Sequence, residues 1–335
     1  MVIQTSVYPA WSGVTCLVTG GLGFIGSNLV ATLVASGANV RVVDALIPGH
    51  GGRADQLEGL AVDAILTARI DDPAVAELLD GADAVFNVAG QVSHTASMRD
   101  PHNDLSLNAT AQIGLLENVR RVAPHARVVY TSTRQVYGRA TGEITDEQQI
   151  PHPIDVNGVA KLAGEQLHLV YAQAYDLATC ALRLTNVYGP RQCLTSNELG
   201  FLPVFLRKAL QGEVIEIYGD GMQQRDCVHV ADVVAALLAA AEYPPAIGRI
   251  FNAGHPVALP LVEIARVVLT AAGRNDEAKL VPWPDEHARI NIGSFHTGSE
   301  LIRDELGWTA KIGIAEGVAD AIAFYREHPW FLSST

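Results

Sequence analysis

Seven consecutive residues, Gly20-Gly21-Leu22-Gly23-Phe24-Ile25-Gly26, carry the first recognisable chemistry in the sequence. Gly20 can make a tight turn, Gly23 lets backbone approach a phosphate, and Gly26 lets a helix close onto a strand. The outer spacing is GxxGxxG, not the commoner GxGxxG, and three glycines alone are a weak signal. Their setting strengthens it. VTCLVT (14–19) reads as a buried strand and 25–36 as a helix whose N-terminus would offer N–H donors to a pyrophosphate. VRVVD (40–44) is a second strand ending in an acid. Together these predict a dinucleotide site built from Gly20, Gly23, Phe24, Ile25, Gly26 and Asp44. Asp44 would accept hydrogen bonds from adenosine-ribose hydroxyls and repel a 2′-phosphate, which favours NAD over NADP. Arg53, in the loop that follows, works against that exclusion.

Such a site needs a sheet to hold it, and the pattern supplies one. ADAVFNVAG (82–90) reads as a strand and its exit, 105–122 as a helix, and ARVVYTST (126–133) as another strand. A helix over 158–175 follows, then a strand and loop in ATCALRLTNVYGP (178–190). Apolar strands alternating with amphipathic helices predict a doubly wound α/β fold with a parallel sheet. Beyond 190 the order is less regular, with a helix at 201–210, a short strand at 214–217 and a helix at 232–242. The expected division is 12–190 for the dinucleotide domain and 191–225 with 254–335 for a smaller substrate lobe. Residues 226–253 are expected to return to the large domain.

Composition narrows the classes. The chain has 335 residues, 49% apolar and aromatic, which is enough to bury a full core and excludes disorder. Its net charge of -13 argues against a general nucleic-acid binder. No apolar run reaches transmembrane length, and MVIQTSVYPAWSG lacks the features of a secretory signal. Cys16, Cys180, Cys193 and Cys227 are scattered without CxxC spacing, so a reduced, cytoplasmic chain with buried thiols and no metal is expected.

The combination TGGLGFIGS (19–27), NVAGQ (87–91), TSTRQVYG (131–138), Lys161 and LTNVYGP (184–190) resembles the extended short-chain dehydrogenase/reductase superfamily. The likeness is to its nucleotide-sugar epimerase/dehydratase branch, and it extends through GDGMQQRDCVHVADVV (219–234) and ELGW (305–308). It implies a Rossmann-type domain holding NAD and a C-terminal lobe gripping a nucleotide sugar. It also implies a homodimer joined through the helices at 105–122 and 158–175. AGQV (89–92) is similar to sugar 2-epimerases, though four residues do not decide a substrate. The resemblance places Ile70 and Lys161 among the cofactor contacts, Thr133 at the substrate hydroxyl, and Asn186 at the sugar or its diphosphate. Arg225 and Arg289 are candidates for the diphosphate because a guanidinium can hold two phosphate oxygens in a planar fork.

One position departs from the family. Where the catalytic tyrosine of Tyr-x-x-x-Lys belongs, four residues before Lys161, stands Asn157. A neutral amide cannot take a hydroxyl proton near neutral pH, so any oxidation needs another base. His94 is the first substitute, with three readings open: acid/base, substrate contact, or structural residue. His152, Tyr130, Tyr137 and a route from Lys161 through Asn157 or water are weaker alternatives. Arg134 and Gln135 replace the acidic residues of dehydratases, which disfavours 4,6-dehydration. Arg134 is read either as a contact to an anionic part of the substrate or as a surface ion pair. The expected activity is NAD-dependent epimerisation through a keto-sugar. A net dehydrogenase or ketoreductase, or a silent binding protein, is the alternative.

Overall fold

The computed structural model describes Ile3 and residues 5–332. Seven short strands form the main sheet: β1 (Thr15–Thr19), β2 (Asn39–Asp44), β3 (Ala64–Thr67), β4 (Ala84–Asn87), β5 (Arg127–Thr133), β6 (Thr179–Leu184) and, much later, Ile250–Ala253. The strands between, in chain order, are β7 (Asn186–Tyr188), β8 (Glu216–Tyr218) and β9 (Gln224–His229), which makes Ile250–Ala253 β10. The sheet runs β10-β6-β5-β4-β1-β2-β3, and every pairing in it is parallel. This is the doubly wound architecture expected. β1, β4 and most of β5 and β6 are buried, as parallel strands covered by helices on both faces must be. One face packs Leu29, Leu33, Val233 and Leu237 from the helices Phe24–Ala35 and Val230–Glu242. The other packs Val75, Leu115 and Val119 from Val75–Leu79 and Ala111–Val122.

Chain order reverses between β1 and β4, so their C-terminal ends diverge into a crevice where ligands bind in such sheets. A smaller unit lies beyond. The strand β11 (Ala258–Pro260) pairs antiparallel with β9, which pairs parallel with β7. β12 (Lys279–Val281) pairs with β8. The helices Phe201–Leu210, Leu261–Ala271 and Ile314–Glu327 bring Leu206, Ile264, Val268, Ile322 and Tyr325 into a second core. No helix among the described residues is long and apolar enough to cross a membrane.

The structure differs from the sequence expectation at two places that shape the site. The run 178–190 breaks at Thr185, leaving β6 in the large sheet and sending β7 to the small one. The Thr185 hydroxyl, which donates to Asp226 Oδ1 at 2.8 Å, pins that break. The expected helix 105–122 starts at Pro101 and passes through a π-helical turn, Ser106–Thr110. Asn108 sits in that turn, and its side chain bonds outward to Gln91 instead of lying along a regular helix.

Candidate active site

The glycine loop leaves β1 and turns at once into the helix Phe24–Ala35. Gly20 has φ +66°, and a Cβ there would lie 2.8 Å from Ala89 Cα at the end of β4. A Cβ on Gly26 would lie 2.1 Å from the Gly20 carbonyl oxygen. No other residue fits either position. Gly20, Gly23, Phe24, Ile25, Gly26, Asp44 and Ile70 line one cleft, together with Ala45, Val88, Ala89 and Gly90. Bare backbone at a helix N-terminus, an acid at the end of β2 and an apolar wall suit a dinucleotide. Asp44 also braces the loop, because Oδ2 accepts the Leu22 N–H at 3.0 Å and Oδ1 the Leu46 N–H at 2.8 Å. Arg53 pairs with Asp55 at 2.7 Å and lies over Phe331. Arg69 lines the cleft but is bound to Asp71 and to Ser106 Oγ. Cys16, Cys180 and Cys227 are buried, whereas Cys193 is half-buried in the cleft wall, a correction to the expectation of four buried thiols.

Asn157 and Lys161 lie one turn apart on the helix Val156–Tyr175, facing the exit of β4. Asn157 Nδ2 donates to the Gln91 carbonyl at 2.9 Å and to Asp104 Oδ2 at 3.2 Å, so both amide hydrogens are engaged. Asp104 and Asn108 complete this buried knot, and neither stands out in the sequence. The Asn108 side chain accepts the Gln91 N–H and donates to the Gln91 carbonyl and to Asp104. Burial pushes the Asp104 carboxyl up, opposed by Asn157, Asn108 and the Lys161 charge. The Lys161 ammonium lies 4.5 Å from the Tyr130 ring centroid and beside Gly90, whose Cβ would come within 3.4 Å of Nζ. Burial pushes it down to about 8, although Asp104 and Glu165 pull upward. The helix is held by a buried ion pair in which Arg183 of β6 donates to both oxygens of Glu165, at 2.8 and 2.6 Å.

The substitute bases separate clearly. Tyr130 is fully buried with an unpartnered hydroxyl, and burial raises it well above the ordinary phenol value. Tyr137 is buried too, also raised, and donates to Asn252. His152 is exposed. His94 begins the short helix His94–Arg99 at the β4 exit, and its Nδ1 lies 3.0 Å from Asp155 Oδ2 along a bent approach. Asp155 caps the helix of Asn157 by accepting the Gly158 N–H at 2.7 Å, and it accepts Gln135 Nε2 at 2.7 Å. Sequence reading missed Asp155; an acid just before an apolar-periodic run could have marked the cap, but nothing local marks its histidine neighbour.

Thr133 ends β5, where its hydroxyl accepts the Gln135 N–H. Arg134 donates to Asn186 Oδ1 at 3.2 Å and lies over Phe295. Its Nη1 is buried without a partner, and no carboxylate among the described residues pairs with it. Arg225 is buried nearby, bonded to the Gln224 and Gly293 carbonyls and to Gln223. Burial and the Arg134 charge push it down to about 9. Three of the four residues read as diphosphate or anion contacts therefore gather in one region. Arg289 lies apart on Asp285–Arg289, exposed.

A glycine cradle at the switch point of a parallel sheet, with a buried lysine on the next wall, defines a nicotinamide-dinucleotide enzyme. The family model for the NAD dependent epimerase/dehydratase family matches residues 16–254, and the chain belongs to that family. It is 33% identical to a UDP-glucose 4-epimerase of Mycolicibacterium smegmatis over 314 residues, 92% of this chain and 98% of that one. It superposes on the UDP-glucose 4-epimerase of Thermotoga maritima, solved with UDP-glucose, with TM-score 0.85 and 31% identity, covering 94% and 99% of the two chains. It also superposes on MoeE5, solved with UDP-glucose and NAD, with TM-score 0.80 and 32% identity, again over 94% and 99%. Relatives at 28–29% identity include a UDP-glucuronic acid decarboxylase of Arabidopsis thaliana and a dTDP-glucose 4,6-dehydratase of Streptomyces niveus. The chain is thus an NAD-dependent enzyme of this family.

Proposed function

We propose that the protein is a nucleotide-sugar epimerase that oxidises one sugar carbinol to a ketone and reduces it again from the other face. The observation that supports this best is the meeting of the cofactor cleft, Lys161 and Thr133 along the C-terminal edge of one sheet. NAD, when bound, supplies the hydride acceptor and returns the hydride. The glycine loop, Asp44 and Ile70 hold it, and Lys161 holds its ribose hydroxyls. Thr133 orients the reacting hydroxyl and polarises the carbonyl oxygen. Asn157, neutral and tied down, keeps the β4 exit loop in register. Arg134, Asn186 and Arg225 grip the anionic part of the substrate, and Arg289, exposed on its own short helix, takes no part in that grip. A buried guanidinium without a counter-ion is costly, and a ligand anion relieves that cost. In this reading 12–190 with 226–253 mainly carries the cofactor and 191–225 with 254–335 mainly the sugar nucleotide, with β7 and β9 crossing into the smaller sheet at the boundary. The exposed Leu105, Ile113, Val159, Val170 and Tyr175 give the two adjoining helices an apolar face suited to a homodimer.

Labelling decides between the close alternatives. With substrate deuterated at each sugar carbon in turn, one position is expected to deliver its label to the cofactor and recover it in an inverted product. Steady accumulation of NADH would replace epimerisation by net dehydrogenation. Label that never reaches the cofactor would remove the hydride reading entirely.

Cofactor choice gives a separate prediction. Asp44→Ser removes the negative charge that excludes a 2′-phosphate, together with one or two charge-assisted hydrogen bonds. NAD affinity is expected to fall at least ~10-fold, at roughly 1.5–3 kcal/mol per such bond, while NADP affinity rises. Fluorescence titration with both cofactors checks it, and unchanged NAD affinity would rule Asp44 out as the ribose contact.

A further inference from the structure

We infer that His94, oriented by Asp155, is the proton acceptor that replaces the missing tyrosine. The inference rests on the hydride-transfer reading above. Its geometry has three parts. The Nδ1 side of the imidazole is shielded and faces Asp155 Oδ2 at 3.0 Å, while the side chain as a whole is 37% exposed. The exposed part of the ring lies away from Nδ1, and the proposal assigns Nε2 as the nitrogen that meets the substrate. Asp155 is fixed from two other directions, by the Gly158 N–H and by Gln135. Through these contacts it links the β4 exit carrying His94, the β5 end carrying Thr133, and the helix carrying Asn157 and Lys161. Burial alone raises the Asp155 carboxyl, but His94, the Gly158 N–H and Gln135 outweigh it and hold it below the usual carboxylate range. It thus stays ionised at neutral pH, the state that orients an Nδ1–H and stabilises a developing imidazolium.

Four of the competing groups are engaged or buried. Asn157 has both amide hydrogens engaged, and Tyr130 and Tyr137 are buried phenols raised above their ordinary value. Asp104 accepts Asn108 and Asn157 on its two oxygens. In the step, the substrate O–H proton passes to His94 Nε2 and the carbinol C–H leaves as hydride to NAD+. Ketone, NADH and imidazolium result, and the return reaction reverses each transfer. Bent contacts in a free enzyme commonly straighten once substrate is bound.

The test uses the intact enzyme, a nucleotide-sugar panel, and single-turnover absorbance of the bound cofactor from pH 5 to 9. Charged groups near the pair are Asp104 on the helix Pro101–Leu105, Arg134 just past the end of β5, and Arg99 with its partner Glu198 on the His94 side. All remain in the variants His94→Gln and Asp155→Asn, the second of which keeps an oxygen for the helix cap. Wild type is expected to lose rate on the acid side, where the proposed proton acceptor is already protonated. His94→Gln is expected to lose ~10²–10⁴-fold, the usual worth of a positioned base, and to lose that acid limb while NAD affinity is unchanged. Imidazole added to His94→Ala restores part of the rate. Asp155→Asn gives a smaller loss, which falls on the hydride-transfer rate and not on NAD affinity. Wild-type turnover with an unaltered pH profile in His94→Gln overturns this assignment and leaves hydride transfer standing. Absence of cofactor reduction in wild type with every nucleotide sugar overturns both.

Discussion

Lys161→Met is expected to slow hydride transfer by about 10²–10³-fold, the range seen when one preorganised donor is removed from a reacting centre. The isosteric apolar chain keeps the packing over Tyr130 and beside Gly90, so the loss reports charge and not shape. A second consequence is a pair of opposed pH slopes. Burial brings the Lys161 ammonium down to about 8 from an ordinary 10.5, against the upward pull of Asp104 and Glu165. Between those values the unfolded chain holds the proton and the folded chain does not. Stability of the cofactor-free protein therefore rises as pH climbs from about 8 toward 10.5, the reverse of a stabilised lysine. Activity is expected to fall over the same window, because the proposed role of Lys161 at the ribose hydroxyls needs the ammonium. Other thiols and phenols also titrate there, so the diagnostic quantity is wild type minus Lys161→Met. Urea unfolding and single-turnover rates at matched pH should give differences of opposite sign. Parallel slopes would show that the charge of Lys161 is not what the site uses.

The legible parts of this molecule were those that follow a period or a backbone necessity. The glycine loop, Asp44 and five strands of the main sheet came from apolar runs and from turns that admit only glycine. β3 was missed because four residues with alternate exposure leave too short a signal. β9 was missed for a different reason. Its sequence, QRDCVH, carries Arg225, Asp226 and His229, all buried, where a buried strand is expected to be apolar. Their partners are long-range, such as Thr185, which donates to Asp226, and Asp320, which lies 3.3 Å from His229 Nε2, and no local pattern reveals them. The site shows the same limit. Asn157 announced itself as a departure, yet its partners Gln91 and Asp104 lie 66 and 53 positions away in the chain. The His94–Asp155 contact likewise depends on β4 and β5 lying side by side, a matter of tertiary register.

Glu165 lies one turn beyond Lys161 on the same helix and pairs with Arg183 of β6, and breaking that pair is expected to be the largest single destabilisation in the domain. Arg183 reaches Glu165 through two parallel donors, both side chains are at most 3% exposed, and the guanidinium stacks on Tyr137. Glu165→Gln keeps the shape but leaves a buried guanidinium without its counter-charge, at about 3–5 kcal/mol by comparison with other broken buried pairs. The double variant Glu165→Leu with Arg183→Met removes both charges and should recover most of that loss. Guanidinium unfolding of the three proteins measures it, and equal losses in single and double variants would mean that packing, not charge, holds the helix. The pair also acts on catalysis. Glu165 is one of two carboxylates that raise Lys161 against burial, so Glu165→Gln should move the alkaline fall in hydride transfer to lower pH. Because Asp104 remains in place, the shift is expected to be partial. A helix that had merely loosened would lower the rate at every pH and leave the position of that fall unchanged.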